Sequence, residues 1–229
     1  MAKKPASPLP LAAAAEDHEH EVTLIEGTNQ SDEIILGHGA GGGRQHIVGG
    51  NGEDTLGAGG GPDTVEGGNG RDYLMGGGGP DLIEGGNGKD TLVGGMGPDT
   101  LVGGEGADLF VYTAHTDDDH GPGPGGEEGG GEEGGGEESD GHEGEDPAGR
   151  RETIADFQTG LDDIDLSALD LDGFADAPTA LAVWVEQDGE DTLVKVDLDG
   201  SLEGEHTAEL TIVLLGLDAA ALSAADFIF

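Results

Sequence analysis

The sequence predicts an all-β fold: a parallel β-solenoid of nonapeptide repeats, followed by a C-terminal β-rich segment. Residues 49–111 repeat every nine residues, with glycine at places one, two and four of nearly every unit. Aspartate recurs at place six and an apolar residue at place eight. Alternate units carry either GGNG or a proline at place five, so two units of nine form one coil of eighteen residues.

Each unit is predicted to be a tight turn plus a short strand, because its last three residues are too few for a helix. Side chains alternate across a strand, so the apolar residues at place eight should all point inward. With two units per coil, these residues should stack in two columns. The expected columns are Leu56, Leu74, Leu92 and Phe110, and Ile47, Val65, Ile83 and Leu101.

Two looser copies precede the seven regular units. AGGGRQHIV at 40–48 carries Gln45 where the aspartate should be. GTNQSDEII at 27–35 keeps Asp32 and Ile34 but has lost most of its glycines. The sequence therefore contains nine units, of which the first two are degraded.

The turns contain the candidate metal ligands. Glycine permits positive φ and a close approach of neighbouring coils, which exposes backbone carbonyls beside the aspartate carboxylates. Oxygen-only ligands suit a hard cation, above all Ca²⁺. A glycine-rich linker without function would not keep aspartate in phase with an apolar residue two places later. The candidate ligands, together with backbone carbonyls of the same turns, are Asp32, Asp54, Asp63, Asp72, Asp81, Asp90, Asp99 and Asp108.

These units resemble the nonapeptide of the repeats-in-toxin (RTX, haemolysin-type calcium-binding) proteins. The resemblance implies a parallel β-roll with several Ca²⁺ ions, each between turns of successive coils on the same edge. Nine units that each pair two units along allow roughly seven inter-coil sites at most. Gln45 puts one of these sites in doubt.

Composition divides the chain into four predicted segments. Residues 1–26 form a polar, proline-broken flexible tail, and 27–112 form the calcium-binding roll. Residues 113–151 are an acidic Gly/Glu linker without enough apolar residues to bury, so we predict disorder there. We interpret its glutamates as a solvated spacer, with loose collection of Ca²⁺ as the alternative. Residues 152–229 form a β-rich domain, with strands expected near 181–187, 192–198 and 208–215.

The segment after the repeats resembles that of serralysin-like secreted proteins. The likeness lies in Asp156-Phe157, in the run from Asp163 to Ser167, and in the ending Asp226-Phe227-Ile228-Phe229. It implies that the type I (ABC) secretion apparatus recognises the C-terminus and that the protein is secreted and extracellular. An ordinary final strand at the same residues is compatible with that function.

Charge and missing motifs bound the function. With 50 acidic against 8 basic residues and a net charge of −42, nucleic acid is an improbable partner, whereas cations are favoured. No stretch approaches the ~20 apolar residues of a transmembrane segment.

The chain contains no cysteine, no HExxH and no GxSxG, and we therefore predict a non-enzymatic calcium-binding protein. The alternatives are an accessory or adhesive protein that binds surfaces, polysaccharide or a partner, and a small hydrolase or polysaccharide-modifying enzyme with an unrecognised site. The sequence does not identify an extracellular partner.

Overall fold

The structure is a computed structural model, and it describes residues 22–37, 43–113, 150–169, 171, 183–197 and 210–229. In this part of the chain the fold is almost entirely β. The strands in chain order are β1 (Val22–Glu26), β2 (Glu33–Ile35), β3 (Arg44–Asn51), β4 (Thr55–Gly60), β5 (Thr64–Gly70), β6 (Tyr73–Gly78), β7 (Leu82–Gly88), β8 (Thr91–Met96), β9 (Thr100–Gly106), β10 (Leu109–Thr113), β11 (Arg150–Ile154), β12 (Asp163–Ala168), β13 (Val183–Asp188), β14 (Asp191–Val196), β15 (Leu210–Leu214) and β16 (Phe227–Ile228). Two 3-10 helices, Ala219–Ala221 and Ala224–Asp226, precede the last strand.

Successive strands of the roll alternate between two sheets. One sheet has nine strands in the order β1-β3-β5-β7-β9-β11-β15-β14-β13, and the other has seven in the order β16-β12-β10-β8-β6-β4-β2. Pairing is parallel except where β14 pairs with β13 and β15. Within the regular repeats each residue pairs with the residue eighteen positions along, as in Leu56 with Leu74 and Val65 with Ile83. The predicted parallel β-roll with two units per coil is confirmed.

The core is a pair of inward columns, one from each sheet. All eight residues predicted for them are fully buried. Ile154 and Ile164 extend the columns toward the C-terminus and are equally buried, and Phe110 packs against Phe157 with ring centroids 6.1 Å apart. Because each coil buries only its own pair of side chains, the core grows by stacking and depends on neighbouring coils.

The strands run further than the three-residue tails of the sequence pattern. β5, for example, continues from Thr64 through the glycines of the next unit as far as Gly70. Glycine has no Cβ, so the ladder can pass through it with coils in close contact. The residues described as turns in the sequence are thus largely extended, and the chain reverses sharply between them.

The ends of the roll differ from the predicted segments. Val22–Glu26, assigned to the flexible tail, is a strand paired in parallel with Arg44–Val48, because it is rich in β-branched residues and its Ile25 packs against the core beside Ile47. Thr113 and Arg150–Arg151, assigned to the linker, also lie in strands. Residues 1–21 and 114–149, which hold the rest of the predicted tail and linker, lie outside the described residues.

The C-terminal segment shares both sheets with the repeats. β11 pairs with β9, and β12 pairs with β10, so the coil is completed after residues 114–149 as though they were absent. The division into four segments stays a prediction. Among the residues that the structure describes, no helix is long and apolar enough to cross a membrane.

Candidate calcium-binding edges

The turns of the roll lie along two edges that differ in their recurring residues. The asparagine edge consists of the turns that contain Asn51, Asn69 and Asn87, each of which leads from the nine-stranded to the seven-stranded sheet. The proline edge consists of the turns that contain Pro62, Pro80 and Pro98, which lead back. Because the true period is eighteen residues, the asparagine turns follow one another along one edge and the proline turns along the other.

Glycine at place one leaves a cradle that a side chain would fill. A Cβ atom built on Gly67 would lie 2.6 Å from Oδ2 of Asp72 and 2.7 Å from the carbonyl oxygen of Gly85. The same two kinds of oxygen converge at Gly85, from Asp90 and from the carbonyl of Gly103. One carboxylate of a unit and one carbonyl of the next coil therefore meet at the same point, and Gly49 and Gly76 show the same arrangement.

The place-six aspartates form a ladder that ties the coils together. On the asparagine edge the backbone N–H of Asp54 donates to Oδ1 of Asp72 at 2.8 Å, and that of Asp72 donates to Oδ1 of Asp90 at 2.9 Å. On the proline edge the N–H of Asp63 donates to Oδ1 of Asp81 at 2.8 Å. One oxygen of each carboxylate is thus committed to closing the turn of the preceding coil.

The second carboxylate oxygen is left buried without a hydrogen-bond donor. This holds for Oδ2 of Asp54, Asp63, Asp72, Asp81, Asp90 and Asp108, whose residues are at most 4% exposed. A buried ionised oxygen without a partner is costly, since desolvation of a charge is offset only by an opposite charge or by donors. The repeating defect therefore points to a cation at each turn.

The electrostatics point the same way. Burial raises the pKa of Asp81 from its ordinary 3.8 to about 7, although the hydrogen bond from Asp63 opposes the shift and the charges of Asp63 and Glu152 add to it. Burial likewise raises the pKa of Asp90 to about 6, helped by the charges of Asp72 and Asp108. The pKa values of Asp63, Asp72 and Asp108 shift in the same direction, each chiefly through burial. These carboxylates stand close to one another without enough positive charge.

The donor set fits Ca²⁺. Carboxylate and carbonyl oxygens from two coils suit a hard cation with many oxygen ligands. No group of three or more His, Cys, Asp or Glu side chains in the described part of the chain is arranged to hold a metal. A cation at these edges must therefore take backbone carbonyls as well as carboxylates, which only the close approach of glycine turns supplies.

Three turns depart from the pattern. Asp32 is half-buried, and both the N–H of Thr28 (2.6 Å) and its hydroxyl (3.0 Å) donate to Oδ2, so this carboxylate is already satisfied. Gln45 donates its N–H to Oδ1 of Asp63 at 2.7 Å, and its own buried Oε1 has no donor. Ala58, fully buried, stands where the other units have the place-one glycine, so a methyl group enters that cradle.

Sequence reasoning missed two acidic residues, Glu152 and Asp162, that continue the two ladders. The N–H of Asp99 donates to Oε2 of Glu152 at 3.1 Å, and that of Asp108 donates to Oδ1 of Asp162 at 3.0 Å. These partners lie 53 and 54 residues away instead of 18. The nine units are therefore joined by seven inter-coil hydrogen bonds, and the C-terminal segment adds one on each edge. The roughly seven inter-coil calcium sites stay a prediction. An acidic residue two places before isoleucine, at Glu152 and Asp162, is the signal that could have revealed them.

Asp156 closes the last coil. Glu152 and Asp162 are ten residues apart, whereas neighbouring place-six residues in the repeats are nine apart. The stretch from Glu152 to Asp162 thus contains one additional residue. Within this stretch, the carboxylate of Asp156 accepts hydrogen bonds from the backbone N–H groups of Gly103 (2.9 Å) and Gly104 (2.8 Å). A side-chain carboxylate here replaces the backbone acceptors of a further coil.

Comparison with known proteins agrees with this geometry. Four copies of the RTX calcium-binding nonapeptide repeat match residues 40–65, 48–83, 66–101 and 84–112. No curated protein matches the chain by sequence.

Solved structures with similarity to the chain include two repeat subunits of an epimerase. The solution structures of the AlgE6R3 and AlgE6R2 subunits of the Azotobacter vinelandii mannuronan C5-epimerase are 27% and 26% identical to it. The first alignment covers 89% of this chain and 80% of that subunit, the second 93% and 94%, both with a TM-score of 0.38. The crystal structure of the extracellular lipase LipA from Serratia marcescens is 14% identical over 91% of this chain and 40% of the lipase, with a TM-score of 0.31.

The repeat match covers residues 40–112, the same stretch in which the glycine cradles and the aspartate ladders recur. RTX nonapeptide repeats bind Ca²⁺. Residues 40–112 are therefore RTX-type calcium-binding repeats that form a Ca²⁺-binding β-roll.

Proposed function

We propose that the protein is a secreted, non-enzymatic calcium-binding protein whose roll folds when Ca²⁺ occupies its two edges. The observation that carries the proposal is the column of buried Oδ2 atoms, which at Asp54, Asp72, Asp81 and Asp90 converge with a carbonyl of the next coil. The predicted ligands at Asp54, Asp63, Asp72, Asp81, Asp90, Asp99 and Asp108 would hold the ions together with these carbonyls. Asp32 would contribute less, because Thr28 already satisfies its carboxylate.

Folding and binding are coupled in this proposal. Metal that binds the folded form alone adds its binding free energy to the stability of that form. Extracellular calcium modules bind with dissociation constants on the order of 10⁻⁴–10⁻³ M, which matches calcium outside a cell. The net charge of −42 opposes compaction until cations neutralise it. The chain would therefore stay loose where calcium is scarce and fold where calcium is abundant.

The C-terminus supports export before folding. In the folded chain Asp226 is buried and accepts the N–H of Gly160 at 2.6 Å, while Phe227 pairs with Ile164 in the sheet. Ile228 and Phe229 remain 39% and 43% exposed. A type I exporter that reads all four residues would have to meet them before the last strand docks. Low calcium inside the cell would provide that interval.

The proposed non-enzymatic role rests on the missing sequence motifs. Two open grooves in the described part of the chain lie among turn residues, one beside Arg71 and Lys89 and the other beside Gln187 and Glu190. Neither is lined by serine, threonine or histidine. We therefore infer no nucleophile–base pair in these grooves.

Calorimetry and export assays test the proposal. The full chain titrated with Ca²⁺, and separately with Mg²⁺, should bind several Ca²⁺ ions with a parallel gain of β structure by circular dichroism. Coexpressed with a type I exporter, the full chain and a variant lacking residues 1–21 should reach the medium, whereas a variant ending at Asp218 should stay inside. A chain that is fully folded in chelator, or export of the shortened C-terminus, would contradict it. Calcium-dependent turnover of any substrate in a panel would contradict the non-enzymatic role.

A further inference from the structure

The two edges of the roll differ in charge at place five. On the asparagine edge this place holds Arg71 and Lys89, each directly before a ladder aspartate, as well as Glu53 before Asp54 and Ala107 before Asp108, so its net charge is positive. On the proline edge the corresponding residues before Asp63, Asp81 and Asp99 are all proline. Arg44 is the exception on that edge, but it precedes Gln45, which carries no charge.

Arg71 and Lys89 stand beside the turns where the asparagine-edge ions would bind. Both are exposed, and they line one groove of about 700 Å³ together with the place-four glycines Gly70, Gly88 and Gly106. The ion pairs in the described part of the chain lie elsewhere, at His46–Glu66 and Lys195–Glu186. The charges of Arg71 and Lys89 therefore act on the aspartate column next to them, opposed in part by Glu53, which lines the same groove.

The asparagine edge also has ties between coils that need no metal. The side-chain amide of Asn69 donates to Oδ1 of Asn51 at 2.9 Å, and that of Asn87 donates to Oδ1 of Asn69 at 2.8 Å. Place three of the proline edge holds Gly60, Gly78 and Met96, which offer no side-chain hydrogen bond. Proline at place five instead restricts φ immediately before each aspartate, which preorganises the turn for a ligand.

We propose that the edges are two classes of calcium site. The proline edge binds Ca²⁺ more tightly and depends on it, whereas the asparagine edge binds more weakly because Arg71 and Lys89 compensate its carboxylates and an amide ladder joins its coils. This inference rests on the proposed binding of Ca²⁺ at both edges. A cation several ångströms from a divalent ion, partly screened by salt, lowers affinity, and two such cations should lower it roughly 3- to 10-fold.

Variants restricted to one edge test the difference. D63N/D81N leaves the ladder of the asparagine edge intact, and D72N/D90N leaves most of the proline edge intact. Each full-length variant is titrated with Ca²⁺ by calorimetry. The Ca²⁺ concentration at the midpoint should be about 3- to 10-fold higher for D63N/D81N than for D72N/D90N. Adding R71Q/K89Q to D63N/D81N should lower that midpoint again, whereas adding R44Q should leave it unchanged. Equal midpoints, or no response to R71Q/K89Q, would overturn the proposal.

A second measurement covers the case in which the one-edge variants do not fold. In the otherwise unaltered chain, R71Q/K89Q should bind Ca²⁺ more tightly than R44Q but show less residual β structure in chelator, because the counter-charges are lost. General damage would weaken both properties, and that result would refute the proposal. An unaltered chain that binds no Ca²⁺ would instead refute the proposed function itself.

Discussion

The backbone N–H of Asp72 donates to Oδ1 of Asp90, one coil further on, at 2.9 Å. The other oxygen of the Asp90 carboxylate is buried and receives no donor. One side chain thus has two tasks: Oδ1 joins two coils, and Oδ2 is available to a cation. This division explains why stacking and metal binding should be inseparable in the roll, and the following predictions test it.

Removing the charge but not the shape of three ladder residues should abolish much of the calcium response. In D72N/D81N/D90N an amide oxygen can still accept the inter-coil hydrogen bond, but the charge that a cation requires is gone. At calcium concentrations about 100 times the dissociation constant, each lost site should remove roughly 2.7 kcal/mol of folding free energy. Denaturant unfolding at fixed calcium measures the loss. The matched control is E33Q/E84Q/E190Q, which removes three exposed charges but none of the ladder aspartates in the turns of the roll. An equal loss of folding free energy in this control would show that charge density alone governs binding.

A methyl group in a glycine cradle should block binding. The Cβ of Gly67→Ala would lie 2.6 Å from Oδ2 of Asp72 and 2.7 Å from the Gly85 carbonyl, closer than Cβ atoms approach oxygen. Gly67 has no positive φ, so backbone strain is not the cause. In Gly78→Ala the nearest atom is 3.8 Å away, at the end of Met96, and this variant should fold and bind like the parent. Calorimetric titration of both variants with Ca²⁺ measures the difference. Similar calcium affinities would refute the proposal that the ion binds in the space beside Gly67.

The opposite change at Ala58, from alanine to glycine, should increase the calcium affinity of the protein. Ala58→Gly empties the cradle next to Asp63 and should raise the calcium affinity of the first proline-edge turn. In chelator the same change should lower stability by about 0.5–1 kcal/mol, because glycine increases the entropy of the unfolded chain. Calcium titration and chelator-treated unfolding should therefore move in opposite directions. A variant that loses calcium affinity would show that the methyl group supports the turn.

Acid should partly replace calcium. The pKa values of the buried aspartates are raised in the folded chain, to about 7 for Asp81 and about 6 for Asp90, from an ordinary 3.8. Groups of this kind favour folding fully below pH 3.8, and their contribution is lost as pH rises toward 6–7. The metal-free roll should gain β structure when the pH falls from 7.5 to 4.5, and D81N should show a smaller gain. Circular dichroism in chelator measures this; metal-free structure that increases with pH would contradict the sign.

Calcium binding near pH 4.5, where acid is expected to have folded the metal-free roll, should release protons, chiefly from Asp81 and Asp90. Calorimetric enthalpies in two buffers with different ionisation enthalpies measure the number released. The count should fall as the pH rises toward 7.5, because the metal-free chain is then loose and its carboxyls are already ionised. A count that does not change with pH would mean that these aspartates are ionised in the metal-free chain.

The repeats themselves were predictable because their rules are local. A nine-residue period with alternating kinds of turn is sufficient to pair Leu56 with Leu74 and Val65 with Ile83, and the structure pairs them so. The period also places Asp72 and Asp90 on one edge and Asp81 on the other, with ladder partners in successive coils. No long-range information is needed, since each coil contacts only its neighbours.

Tertiary structure alone decided where the roll ends and how each carboxylate is used. Glu152 accepts from Asp99, 53 residues earlier, and Asp162 accepts from Asp108, 54 residues earlier. The eighteen-residue period does not predict these spacings, because residues 114–149 lie between the repeats and the C-terminal segment. The structure also shows that Thr28, four residues before Asp32 in the same turn, satisfies the Asp32 carboxylate, whereas Oδ2 of Asp72 is left without a donor. Sequence periodicity fixed which residues recur, whereas hydrogen bonds across coils determined which oxygen atoms remain for a cation.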